Sequence, residues 1–185
     1  MWKSKRLENE LNNVLEINEQ LRKTNRKLEE KNEYSDNLLE NIDNIVNSDY
    51  KILGIRKTKK NQEEVIVYRA DTQDKYSLYL KNGYHKRNNY DYSINVTYNT
   101  MDNEFIINSI PHKNISQGYG SVLMDELFNQ ADKLYVKRIS GKLIARVDSH
   151  HEKRLIGFYQ KKYGFKIDTK NDYIEWVKKE DRTSQ

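Results

Sequence analysis

The chain has 185 residues, of which 36% are hydrophobic, with a formal charge of +5 and a mean hydropathy of −1.04, low enough that part of it is expected outside a packed core. It contains no Cys, which excludes disulfides, thiolate metal sites and a cysteine nucleophile. No apolar run approaches the ~20 residues of a membrane span, and the first residues lack the apolar stretch of a signal peptide, so a cytoplasmic protein is expected.

Residues 3 to 46 carry no Gly or Pro and repeat with a period of seven. One seam reads Leu7, Val14, Leu21, Leu28, Ser35, Ile42, and the other reads Leu11, Asn18, Asn25, Asn32, Leu39, Val46. The alternating spacing puts the first seam at heptad position d and the second at a. Asn at a pairs with its symmetry mate in a parallel, in-register dimer, and Lys31 at g meets Asp36 at e of the partner. The expectation is a coiled-coil dimerisation helix over residues 1–48 that makes a parallel homodimer through residues 7–46. A solvated single helix and a helix folded back on its own domain are the alternatives. Leu15 and Ile17 widen the stripe and leave room for more than two helices.

Asn47-Ser48-Asp49 ends the heptads, and residues 49–185 are expected to form the globular domain. Tyr50 to Arg56 reads as a strand, followed by the charged turn Lys57-Thr58-Lys59-Lys60-Asn61-Gln62, taken as a solvated hairpin tip rather than a nucleic-acid contact. Glu64 to Ala70 and Tyr76 to Lys81 alternate as half-buried strands do, joined through Asp71-Thr72-Gln73-Asp74. Asn82-Gly83 marks a turn, Tyr90 to Tyr98 a further strand, and Phe105 to Ile110 an apolar run. A polar loop then ends in Gln117-Gly118-Tyr119-Gly120-Ser121, and a helix follows with Leu123, Leu127, Ala131 and Leu134 on one face. Leu143 to Val147 is expected to be a strand, Arg154 to Phe165 to include a helix, and Phe165 to Asp168 with Tyr173 to Lys178 to close as a hairpin. Strands crowd the first half and helices the second. The fold class is therefore α+β, a mixed and mostly antiparallel twisted sheet with flanking helices.

Gly118-Tyr119-Gly120 sits where a strand and loop feed a helix. Glycine lets backbone approach a ligand closely, and the first helical turn leaves N–H groups unpaired at the positive end of the dipole. Such donors form an anion site. The basic excess of the chain suits a polyanionic cofactor there, or equally a nucleic-acid surface.

With Ile110-Pro111-His112 at the strand end, the two glycines, and Arg154 to Phe165 downstream, the stretch resembles the GCN5-related N-acetyltransferase family. That family carries a loop of the form Arg/Gln-x-x-Gly-x-Gly/Ala before its central helix, and later a segment like Asn-x-x-Ala-x-x-Phe-Tyr-x-Lys-x-Gly-Phe. The chain departs from the pattern with Ile115 at the first loop position, with the proline shifted by one to Pro111, and with Glu152 where Asn is frequent.

The resemblance implies an acyl-CoA N-acyltransferase fold and acetyl-CoA as cosubstrate, lying between the core strand and the strand at Leu143 to Val147. Ile110, His112 and Glu152 are expected along the pantetheine arm. The amides of Gln117, Gly118, Tyr119, Gly120 and Ser121 are expected on the diphosphate. Tyr159 aligns with the tyrosine that protonates the departing thiolate, with packing on Leu155 and Ile156 as its alternative role. Glu104 is the first candidate for a base, with His112 or an ordered water behind it. His150-His151 lacks the spacing of a metal site and reads as loop or helix start. The resulting reading is an N-acetyltransferase acting on a primary amine of an unknown acceptor. The alternative is a catalytically inactive binding or regulatory protein on the same fold, dimerised by its coiled coil. A nucleic-acid binder is the weakest reading.

Overall fold

A computed structural model describes residues 2–72, 75–84, 90–110, 117–142 and 149–178. The chain runs through helix α1 (Trp2–Val46), then strands β1 (Lys51–Lys57), β2 (Glu64–Thr72), β3 (Lys75–Lys81), β4 (Tyr92–Asn99) and β5 (Glu104–Ser109). Helix α2 (Tyr119–Lys133), β6 (Arg138–Lys142), α3 (Ser149–Ile156), β7 (Lys166–Asp168) and β8 (Tyr173–Val177) follow. α3 continues into a π-helical segment, Gly157–Lys162.

One sheet holds all the strands in the order β1-β2-β3-β4-β5-β6-β8-β7. Every pair is antiparallel except β5 with β6. This is the mixed sheet that the residue pattern predicts. Thr72 pairs with Lys75 at the end of the β2–β3 ladder, and residues 73–74 lie outside the described set. The strand expected at Leu143 to Val147 also lies outside it. The strand observed beside β5 is β6, just upstream, whose Arg-Ile-Ser-Gly-Lys carries a single large apolar residue.

β2 is buried on both faces, because Val65 and Val67 point one way and Ile66 and Tyr68 the other. On the first face the sheet packs with Leu78, Leu80, Ile94, Val96, Phe105 and Ile107 against Val122, Leu123, Met124, Leu127 and Ala131 of α2. Apart from Ala131, each such side chain contributes about 1.5–3 kcal/mol when fully buried. The 3.6-residue repeat of α2 therefore meets the two-residue repeat of the strands, and this contact fixes where α2 begins.

The opposite face is covered by the end of α1. Leu38 and Ile45, with Tyr34 and Ile42, pack on Ile66, Tyr68, Tyr50, Ile52 and Tyr79. Leu38 and Ile45 lie outside the two heptad seams, whereas the seam residues Leu39 and Val46 stay 63% and 62% exposed. For this part of α1 the fold-back alternative holds. Upstream, Leu7, Leu11, Val14, Leu15, Ile17, Leu21 and Leu28 are each more than half exposed. α1 thus carries two apolar faces. One is used by the domain and the other faces solvent.

Candidate functional site

Antiparallel pairing brings one set of strand ends to a single edge of the sheet: the ends of β1, β3 and β5 and the starts of β2 and β4. Helix α2 starts at that edge. Gly118 is its N-cap, with φ 88° and ψ 0°, a left-handed conformation that favours glycine. The N–H groups of Ser121 and Val122 both point at the Gly118 carbonyl, at 3.1 and 3.2 Å. Ser121, expected to offer its amide to a ligand, therefore spends it inside the turn. The amides of Tyr119 and Gly120 have no acceptor among the described residues. Two open donors remain at the positive end of a helix of 15 residues.

That first turn is anchored from several sides. Tyr119 is buried, and its hydroxyl donates to the Glu63 carboxylate (2.9 Å to Oε1) while accepting from Asn82 Nδ2 at 3.0 Å. Tyr34 of α1 stands 3.4 Å from the same carboxylate oxygen and also donates to the Glu64 carbonyl. Asn37 and Asn41 of α1 donate to the carbonyls of Gly83 and Asn82 at 2.9 and 3.0 Å. Burial raises the Glu63 carboxyl above its usual range, against the hydrogen bonds from Tyr119 and Tyr34 that pull it down. On the other side, the Tyr163 hydroxyl lies 2.8 Å from Asp125 Oδ1 and 3.0 Å from the Ser121 carbonyl. The β1–β2 turn also reaches in, with Asn61 Nδ2 donating to Gln117 Oε1 at 2.9 Å. The tip expected to be purely solvated thus braces the glycine loop.

β5 is irregular near its end. Asn95 pairs with Ser109 and the next residue, Val96, with Ile107, so Asn108 is an extra residue, a β-bulge. On its other side β5 pairs with β6 as far as Ile107–Gly141 among the described residues, and residues 143–148, which follow β6, lie outside them. Gly141 permits close approach where the pairing ends: a Cβ there would stand 2.9 Å from the Ile107 carbonyl oxygen. Ile110 follows directly and packs against the core.

Tyr159 is on the π-helical segment at 6% exposure, between Phe158 and Phe165 at ring distances of 5.2 and 5.5 Å. Burial, then the nearby Tyr92, pushes its phenol above the usual range. It keeps its proton at neutral pH. Tyr92, the first residue of β4, has its hydroxyl oxygen 3.6 Å from where a Cβ on Gly120 would stand, and sequence reasoning does not single it out, since it reads as one more aromatic in an alternating strand.

Glu104 is not brought to this place. It opens β5, next to the carboxyl end of α2, where Lys137 N–H bonds the Asn103 carbonyl. At ~1.5 Å per residue, α2 puts roughly 20 Å between that end and Gly118. There Glu104 is buried, accepting from Arg138 Nη2 at 2.7 Å and Ser140 Oγ at 2.5 Å. These partners tie the carboxylate into the sheet at that end of β5. His112 lies outside the described residues. Glu152, His150 and His151 fall in α3, and their side chains are not described. Among the described residues no group of three or more His, Asp or Glu could hold a metal ion, and no helix is long and apolar enough to cross a membrane.

No protein-family model and no characterised protein sequence matches the chain. Solved structures do. A mutant of the cAMP-binding acyltransferase from Mycobacterium smegmatis superposes with a TM-score of 0.51 at 9% identity, over 72% of this chain and 49% of that one. Tetrahymena GCN5 gives a TM-score of 0.37 at 11% identity, over 57% of this chain and 69% of that one. Nourseothricin acetyltransferase gives 0.42 at 13% identity, over 70% and 85%. The M. smegmatis match spans about half of that protein, and at this identity it speaks for the fold alone. The eight-stranded mixed sheet with its parallel β5–β6 pair has the acyl-CoA N-acyltransferase fold.

Proposed function

We propose that this protein is an acetyl-CoA-dependent N-acetyltransferase that acetylates a primary amine of its acceptor. The observation that carries the reading is the pair of open amides, Tyr119 and Gly120, at the glycine-capped start of α2, at the same sheet edge as the bulged end of β5. The residues fit the cosubstrate. A diphosphate matches the donors at the start of α2, with Gln117 and Gly118 on the same turn, and the end of β5 around Ile110 offers backbone groups to the amide-bearing pantetheine arm. His112 and Glu152 are assigned to the same arm. Bound acetyl-CoA supplies an activated acetyl group. The chain's own part is to hold the reactants in line and to offer the Tyr159 proton to the leaving sulfur.

Thiol release from acetyl-CoA with a panel of amines tests this. The parent releases thiol with at least one amine, and Tyr159→Phe lowers the rate by about 100-fold or more. Binding of acetyl-CoA with no amine modified supports the rival reading, a regulatory protein that keeps the fold without turnover.

The same proposal includes a parallel homodimer through residues 7–46, supported by the solvent-facing apolar stripe from Leu7 to Leu28. Leu21→Asp with Leu28→Asp, far from the docked part of α1, converts the sedimenting species from dimer to monomer with the domain still folded. A parent chain that already sediments as a monomer removes the dimer.

A further inference from the structure

Asn82, directly after β3, has each of its polar groups engaged by a different segment. Its N–H donates to Asp91 Oδ2 at 2.8 Å, and its carbonyl accepts from Asn41 Nδ2 at 3.0 Å. Its side-chain Oδ1 accepts from the Tyr84 N–H at 2.9 Å, and its Nδ2 donates to the Tyr119 hydroxyl at 3.0 Å. This buried residue therefore joins α1, the turn after β3, the approach to β4 and the first turn of α2.

The approach of α1 is close enough to fix the residue type beside it. A Cβ on Gly83 would stand 2.6 Å from the Tyr34 carbonyl oxygen and 2.9 Å from the Tyr34 ring. Gly83 has no positive φ, so it is the nearness of α1 that requires glycine there. The Gly83 carbonyl accepts from Asn37, and the Tyr34 hydroxyl stands beside Glu63, the other partner of Tyr119. Both supports of the Tyr119 hydroxyl thus lead back to α1, Asn82 through Asn41 and Glu63 through Tyr34. Apolar packing is non-directional, whereas these hydrogen bonds fix the height of α1 against the turn. Tyr119 in turn carries one of the two open amides.

We infer that Asn82 is a positioning residue through which the docked segment of α1 sets the ligand-binding turn of α2, so that α1 is part of the site's frame. The inference rests on the proposed acetyl-CoA reading and gives a role to a helix which that reading leaves outside the site. With Asn82 and Glu63 holding the Tyr119 side chain, the amides of Tyr119 and Gly120 are oriented before the diphosphate arrives, and binding does not have to order them.

The test is calorimetric titration of acetyl-CoA into the full-length parent, Asn41→Ala, Tyr119→Phe and the double variant. Each single change is expected to weaken acetyl-CoA about 5-fold. The double variant is expected to match Tyr119→Phe, because Asn41 acts on the turn through the Asn82 bond that Tyr119→Phe has already removed. Independent effects would instead multiply to about 25-fold. Ile45→Ala opens a gap in the same α1 contact without removing a side-chain hydrogen bond, so its Tm falls while its affinity stays at the parent's. If Asn41→Ala binds like the parent, if the two changes multiply, or if Ile45→Ala weakens acetyl-CoA as much as Asn41→Ala, the positioning role is wrong and the acetyltransferase reading stands. If the parent does not bind acetyl-CoA, both fall together.

Discussion

The two ends of β5 treat buried polar groups in opposite ways. At its start, the Glu104 carboxylate has Arg138 on one oxygen and Ser140 on the other. At its far end, a bulge lies at the sheet edge where α2 begins with two amides that have no acceptor among the described residues. A buried polar group with its partners belongs to the frame, and one without them points to a ligand. The strand thus has one end whose polar groups are matched and one end beside open donors.

The largest effect should come from breaking the matched end. Glu104→Ala leaves the Ser140 hydroxyl without its acceptor and Arg138 without its carboxylate, at about 2–3 kcal/mol of stability. Urea unfolding should show the lower midpoint, with acetyl-CoA affinity of the folded protein unchanged. Lost turnover with an unmoved midpoint would mark Glu104 as the base. Gly141→Ala follows, at about 1–3 kcal/mol of overpacking, because the new methyl meets the Ile107 carbonyl at 2.9 Å. Thermal melting measures it, and an unshifted Tm would mean that β5 and β6 are not in close contact at that point.

Beside the open donors, Gly118→Ala forces a side chain onto a residue at φ 88° and loses about 1 kcal/mol. Its acetyl-CoA affinity drops as well, because the amides it holds move. The smallest effect is one of pH. Glu63 holds its proton more tightly folded than unfolded, chiefly through burial. The stability this contributes is full below the unfolded Glu value of ~4.3 and is lost as pH rises through the higher folded value. Glu63→Gln keeps an acceptor for Tyr119 and removes that dependence, so its stability improves relative to the parent as pH rises above about 4. Parallel pH profiles for the two proteins would contradict the shift.

Much of the frame is legible before any coordinates. β2, β3 and β4 alternate as strands do, α2 carries its stripe at helical spacing, and Gly118 announces a turn into a helix. β6 is not legible, because a central strand built around Ser140 and Gly141 depends on close backbone approach rather than on apolar side chains. The docked face of α1 is hidden for a different reason. Leu38 and Ile45 repeat with the same period of seven as the exposed seam, so periodicity cannot say which stripe the domain takes. Glu63, Asn82 and Tyr92 stand far apart in sequence, at a turn, a strand end and a strand start. Only the antiparallel register gathers them around Tyr119 and Gly120.

The central claim, that the start of α2 and the bulged end of β5 hold a CoA thioester, is tested most directly by titrating acetyl-CoA into the full-length protein and into Gly118→Ala. Saturable binding at one ligand per chain, weakened in the variant, is the expected result. Acetyl-CoA that fails to bind the parent, or binds parent and variant equally well, would contradict it.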